Sequence, residues 1–177
     1  MSFDFTQSHF ALFGLQAGFT LDRAALDAAY RALQTEYHPD RFAAASDAQK
    51  RLSLQIATQI NQGYQTLKNP LSRARYLLQL HGVDTQEETN TAMPVEFLMQ
   101  QMEWRETIAD AKTQRNGDTL EALSSELAGE HRTLVNELAV LLDEQQDWPA
   151  AAEAVRKLRF LDKLSEEVDN AIDAVTF

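Results

Sequence analysis

Cysteine is absent from the 177 residues, which excludes disulfides, thiolate metal sites and a thiol nucleophile. Proline occurs four times and glycine six, so few positions force the chain out of helix. β-branched residues never gather into an alternating run, which leaves no strand signal. No apolar stretch approaches the ~20 residues needed to span a bilayer. Met1-Ser2-Phe3-Asp4 lacks the basic start and the apolar run of a signal peptide. The chain therefore reads as soluble and cytoplasmic, and as all-α. A hydrophobic content of 44% is ordinary for a globular chain, and the length allows one domain or two small ones.

Positive charge is scarce in the second half. Residues 1–82 hold 8 Lys/Arg against 6 Asp/Glu, whereas residues 83–177 hold 8 against 21. The net charges of +2 and −13 that follow point to two units with different partners. Nucleic acid and anionic membranes reward concentrated positive charge, so neither fits as the main target. Most of the carboxylates serve as a solvated, solubilising surface.

Proline is informative where it does occur. His38-Pro39-Asp40 directly follows a helical run from Asp22 to Tyr37, in which Leu26, Tyr30, Leu33 and Tyr37 form one apolar stripe. The residue before proline is pushed out of the α region, and proline has a fixed φ and no N–H. The chain must turn at His38 and present an imidazole and a carboxylate from a loop. Downstream, Ser46 and Gln49 have the spacing of a capping box. The helix they open is striped by Leu52, Ile56, Ile60, Tyr64 and Leu67. The pattern predicts two antiparallel helices with His-Pro-Asp at their tip.

A short first helix is expected over Gln7 to Phe13, with Thr20 capping the second. The third stops near Asn69-Pro70, where Asn69 suits an N-cap and Pro70 the first position of a fourth. That fourth helix ends at Gly82. Residues 1–82 then form the first domain. Val83 to Met93 is polar and aperiodic, as a linker is. Residues 94–177 form the second domain, an antiparallel three-helix bundle. Its first helix runs from Pro94 to about Arg115. Asn116-Gly117 breaks it, and Asp118 with Glu121 resembles a capping box. A turn near Asp147 precedes the last helix, striped by Ala154, Leu158, Leu161, Val168, Ile172 and Val175.

The helix from Pro94 carries two apolar faces where a bundle needs one. Phe97, Gln101, Trp104, Ile108 and Ala111 cluster on one side. Leu98, Met99, Met102 and Glu106 lie opposite, with Glu103 at the edge of that set. Unbranched, methionine-rich surface has the composition of an adaptable binding face, although the same stripe would also serve to pack on another helix. Phe160 lies about 100° off the buried axis of the last helix. It is either a shoulder of the core or a contact residue.

Catalysis and metal binding find little support. No serine, cysteine or second acid is tied in sequence to His38 and Asp40. His9, His81 and His131 lack ligand spacing, His81 suits a helix C-terminus, and His131 reads as a surface residue. No phosphate-binding loop follows Gly14 or Gly18.

The run Tyr37-His38-Pro39-Asp40-Arg41-Phe42, then Ile60-Asn61-Gln62, Asn69-Pro70-Leu71-Ser72-Arg73-Ala74 and Tyr76-Leu77-Leu78, resembles the J-domain of the HscB family of co-chaperones for iron–sulfur cluster biogenesis. Phe97-Leu98-Met99, Arg105-Glu106, Ala150-Ala151-Ala152 and Val155 through Leu164 resemble that family's C-terminal domain. The resemblance implies no enzymatic activity and no cofactor. It implies that His38, Pro39 and Asp40, with Arg31 and Arg41 around them, contact a dedicated DnaK-type (HscA-like) chaperone ATPase. It also implies that Leu98, Met99, Met102, Glu103, Glu106 and Phe160 contact an iron–sulfur cluster scaffold protein, delivered as client. Thr35 and Glu36 stand where J-domains commonly carry a basic residue. A J-protein with another client, and a hydrolase using His38 and Asp40, are the competing expectations. Activity without any partner chaperone would single out the hydrolase.

Overall fold

The computed structural model describes residues 2–177, so Met1, part of the N-terminal stretch read above, lies outside the described residues. These form two compact units, one ending at Leu80 and one spanning His81–Phe177. Among the described residues all regular structure is helical: α1 (His9–Leu12), α2 (Arg23–Tyr37), α3 (Asp47–Lys68), α4 (Pro70–Leu80), α5 (Val95–Thr113), α6 (Gly117–Ala139) and α7 (Trp148–Thr176). The all-α expectation holds. Two tight turns interrupt the series, a 3₁₀ turn at Pro39–Phe42 and a π turn at Val140–Glu144.

In the first unit α2 and α3 pair as the stripes require, with Leu26, Ile56, Ile60 and Leu67 at the centre. Tyr30 stacks flat on Tyr64 with ring centroids 3.9 Å apart. The Tyr30 hydroxyl donates to Asn61 Oδ1, and the Tyr64 hydroxyl donates to Asp27 Oδ1. Asp27 also accepts from Arg23 Nε at 2.9 Å. Those two hydrogen bonds, Arg23's first, hold its carboxyl below the usual carboxylate range. The capping box at Ser46 and Gln49 forms, and Asn69 Oδ1 accepts from the Ser72 N–H at the start of α4.

The core of this unit is wider than the two stripes. Phe10, Phe13 and Phe19 are buried too, with α1 lying against α3 at Gly63. A side chain there would come within 3.0 Å of His9 Nδ1 and 3.1 Å of Phe13. Arg73 is buried among them, its guanidinium over the Phe19 ring and donating to the carbonyls of Phe19 and Leu67. The buried charge is thus satisfied by backbone oxygens. Three helix starts differ from expectation. Ser8 caps α1, which covers only His9–Leu12, and Asp22 caps α2 in place of Thr20. Asn116, not Asp118, caps α6 by accepting from the Thr119 N–H. In each case several oxygen-bearing side chains lie within two or three residues, and only one reaches the free N–H groups.

In the second unit α5, α6 and α7 enclose a core of Trp104, Ile108, Leu120, Leu127, Leu138, Leu158, Leu161, Leu164 and Val168. Residues 83–93 pack on α7 and belong to this unit, whereas their composition had suggested a linker. Arg156 Nη1 donates to the Thr85 carbonyl at 3.1 Å, and Arg159 meets Glu87 and Glu88. His81 stacks on Trp148 with centroids 4.1 Å apart.

Candidate functional site

The break at Pro39 builds the first site. His38 ends α2 in an extended conformation, φ −59° and ψ 132°, as a residue before proline must. Its Nδ1 accepts from the Asp40 N–H at 3.2 Å. With Nδ1 so engaged, the neutral imidazole carries its proton on Nε2 and offers a donor to whatever approaches. The Asp40 carboxylate is 3.6 Å from Nδ1 and almost fully exposed, so it is not held as a positioning partner of a general base. Ser53 Oγ donates to the Tyr37 carbonyl and ties the end of α2 to α3. Arg31, His38 and Arg41 line one shallow groove with Gln34 and Thr35. Arg41 Nη1 reaches back to donate to the Thr35 carbonyl at 3.1 Å. A guanidinium therefore stands beside the turn where a basic side chain is missing.

The second site lies on α5. Its buried face holds Gln101, Trp104, Ile108 and Ala111. Trp104 is 3% exposed, and its indole N–H donates to Glu126 Oε1. On the far side Leu98 is 40% exposed, Met99 59% and Met102 71%. Turned by ~100° per residue, these three and Glu106 share one arc opposite Trp104. The two-faced helix expected from the sequence is present, and its outer face is open. Val95, also exposed, falls on the same arc; its place seven residues before Met102 was the signal for it. Phe97 is half-buried rather than a core residue, with its ring edge-on to both Trp104 and Phe160.

Phe160 is half-buried as well and lines a pocket together with Leu98. The Arg105 guanidinium packs over its ring, 5.2 Å from the centroid, and pairs with Glu167. Glu106 stays exposed on the outer arc. Glu103 accepts from Gln100 on its own helix and lines a different groove, with Trp104 of α5 and Glu126 of α6. Of the six residues expected on this face, Leu98 and Phe160 share a pocket. Met99, Met102 and Glu106 share Leu98's arc, and Glu103 stands apart.

The histidines do not gather. His9 stacks on Tyr76, and burial pushes its pKa down. His131 is not a free surface residue: its Nε2 is 3.5 Å from Asp162 Oδ1, a carboxyl whose pKa burial raises. Among the described residues no group of three or more His, Cys, Asp or Glu is placed to hold a metal ion.

Residues 93–169 match the family model described as the HSCB C-terminal oligomerisation domain. The chain is 58% identical over 166 residues to the co-chaperone protein HscB homolog of Burkholderia multivorans, with 94% of each chain covered. Its fold matches the chaperone HscB of Vibrio cholerae with a TM-score of 0.84 at 39% identity, covering 96% of this chain and 99% of that one. It matches the crystal structure of human co-chaperone protein HscB with a TM-score of 0.88 at 31% identity, covering 94% and 83%. The family that the loop and the two-faced helix resemble is the family the chain matches along nearly its full length: it belongs to the HscB co-chaperones of iron–sulfur cluster biogenesis, J-proteins rather than enzymes.

Proposed function

We propose that the two sites serve two partners. Around His38, Pro39 and Asp40, with Arg31 and Arg41 at the groove, the first unit docks on an HscA-like, DnaK-type ATPase and favours its hydrolysis-competent state. The second unit holds an iron–sulfur cluster scaffold protein as client through Leu98, Met99, Met102, Glu106 and Phe160, with Glu103 at the margin. A cytoplasmic setting belongs to this reading. It is supported by a bacterial relative and by the lack, among the described residues, of a helix long and apolar enough to cross a membrane.

One observation carries the client assignment. A helix with a buried face of its own leaves three large apolar side chains, Leu98, Met99 and Met102, in water on its other side. Such a cluster marks a surface that is covered in the working state. Methionine adapts its shape to a partner at little cost, and the acidic Glu106 beside it selects basic groups opposite.

Calorimetric titration of the scaffold protein into the full-length chain tests this reading. Met99→Ala and Met102→Ala are expected to weaken binding, and His38→Gln to leave it unchanged. Wild-type affinity in both methionine variants would remove the client from this face. A mass that rises with concentration, and falls in the methionine variants, would put a second copy of the chain there instead.

A further inference from the structure

The pocket beside the client-facing helix has a chemistry of its own. Residues 83–93, α5 and α7 line it, with Met93, Leu98 and Phe160 as its apolar part. Its polar lining includes Gln101, Arg156, Arg159 and Lys163. Gln101 is only 7% exposed, on the buried face of α5, and its Nε2 has no hydrogen-bond partner. Arg156 spends Nη1 on the Thr85 carbonyl, and Arg159 spends its two terminal nitrogens on Glu87 and Glu88. The Nε of each arginine is left buried and unpaired. A buried donor without an acceptor is costly and rare in a folded protein. Three such atoms, all of them N–H donors, belong to residues that line one pocket, and each still lacks an acceptor.

Charge points the same way. The 95 residues from Val83 onward carry 8 basic and 21 acidic residues, yet this pocket gathers Arg156, Arg159 and Lys163 against Glu87 in its lining and Glu88 on Arg159. Lys163 is exposed and forms no ion pair among the described residues. A locally positive wall in an acidic unit attracts and orients an anion. Planar donors in one lining with Leu98 and Phe160 suit a carboxylate on a short aliphatic stem.

We propose that this pocket is a carboxylate-binding subsite for the partner that covers α5, engaged by Gln101 Nε2, the arginine Nε atoms and Lys163. The proposal rests on the client reading above and adds a polarity to it. Glu106 on the outer arc selects a basic group of the partner, and the pocket selects an acidic one. The carboxylate is an acidic side chain or a chain terminus, and the two sources share the same contacts.

The test titrates the scaffold protein into full-length wild type, Lys163→Ala, Gln101→Met and Leu98→Ala, at low and moderate salt. Lys163→Ala is expected to weaken binding about tenfold at low salt and to flatten its salt dependence, as loss of a charge-assisted contact does. Gln101→Met keeps the side chain's size without the donor, and is expected to weaken binding several-fold with an unchanged melting temperature. Should that buried substitution destabilise the fold, Lys163→Ala alone decides. Scaffold variants, each with one Asp→Asn or Glu→Gln change, and one with an amidated terminus, identify the source. One of them should bind weakly to wild type and no more weakly to Lys163→Ala. If Lys163→Ala and Gln101→Met bind as wild type while Leu98→Ala is weakened, the carboxylate subsite is wrong and the client face stands. If Leu98→Ala also binds as wild type, the client face fails and the subsite with it.

Discussion

In the first unit α2 turns its stripe inward, with Leu26 fully buried, and ends at Tyr37 before Pro39, leaving polar side chains on a loop tip. In the second, α5 buries Trp104 and Ile108 and carries Leu98, Met99 and Met102 into solvent on the same helix. The loop sets its polar groups apart from the packing by breaking the backbone. The helix sets its outer face apart by facing two ways. The first device leaves the core rule intact, since exposed polar residues are ordinary. The second violates it, because large apolar groups remain in water, and it therefore carries more information about a missing partner.

If the loop is separate from the core, His38→Gln should abolish stimulation of an HscA-like chaperone's single-turnover ATP hydrolysis. Helicity should be unaltered, and stability should stay within ~0.5 kcal/mol, the range for surface changes away from packing. A variant that unfolds or still stimulates fully would erase the contrast. Within α5 the contrast sharpens to two residues on one helix. Trp104→Ala should cost about 3–5 kcal/mol as a large-to-small core change. Met102→Ala should stay within ~0.5 kcal/mol, both read from thermal and denaturant melts. Equal losses would mean that the outer face is buried.

Smaller effects separate the caps. Asn116→Ala should lower stability by about 1 kcal/mol as a lost N-cap. Asp118→Ala should cost no more than a few tenths, the worth of an exposed acid near a helix N-terminus. Urea midpoints measure both, and the reverse order would restore Asp118 as the cap. Asp22→Ala in the first unit should behave as Asn116→Ala does.

These elements also mark where the sequence could be read. The spans of α2, α3 and α7 follow from apolar periodicity, and the turn at His38 from the one proline that had to break a helix. The two faces of α5 were visible as two stripes, and only burial could show which was open. Phe10, Phe13 and Phe19 stayed illegible because a four-residue helix and a loop impose no period. Phe13 reaches its place because Gly63 lets α1 approach α3, and Phe19 lies under the Arg73 guanidinium. Residues 83–93 looked like a linker because their apolar content is low. What anchors them is polar, Arg156 and Arg159 reaching from ~70 residues away in sequence. Long-range hydrogen bonds of this kind leave no periodic trace. The pocket those arginines help to line was hidden for the same reason.

In the proposed function one chain carries two separable sites and gains its activity by joining them. Single-turnover ATP hydrolysis by the HscA-like chaperone tests it directly, measured with and without scaffold protein. Wild type is compared with a variant in which Leu98, Met99 and Met102 are all replaced by alanine. Both proteins should stimulate equally without scaffold, because the loop is untouched. Only wild type should gain further when scaffold is added at low concentration, because binding to α5 raises the client's effective concentration at the chaperone. An equal gain in the variant, or a loss of stimulation already without scaffold, would contradict the account.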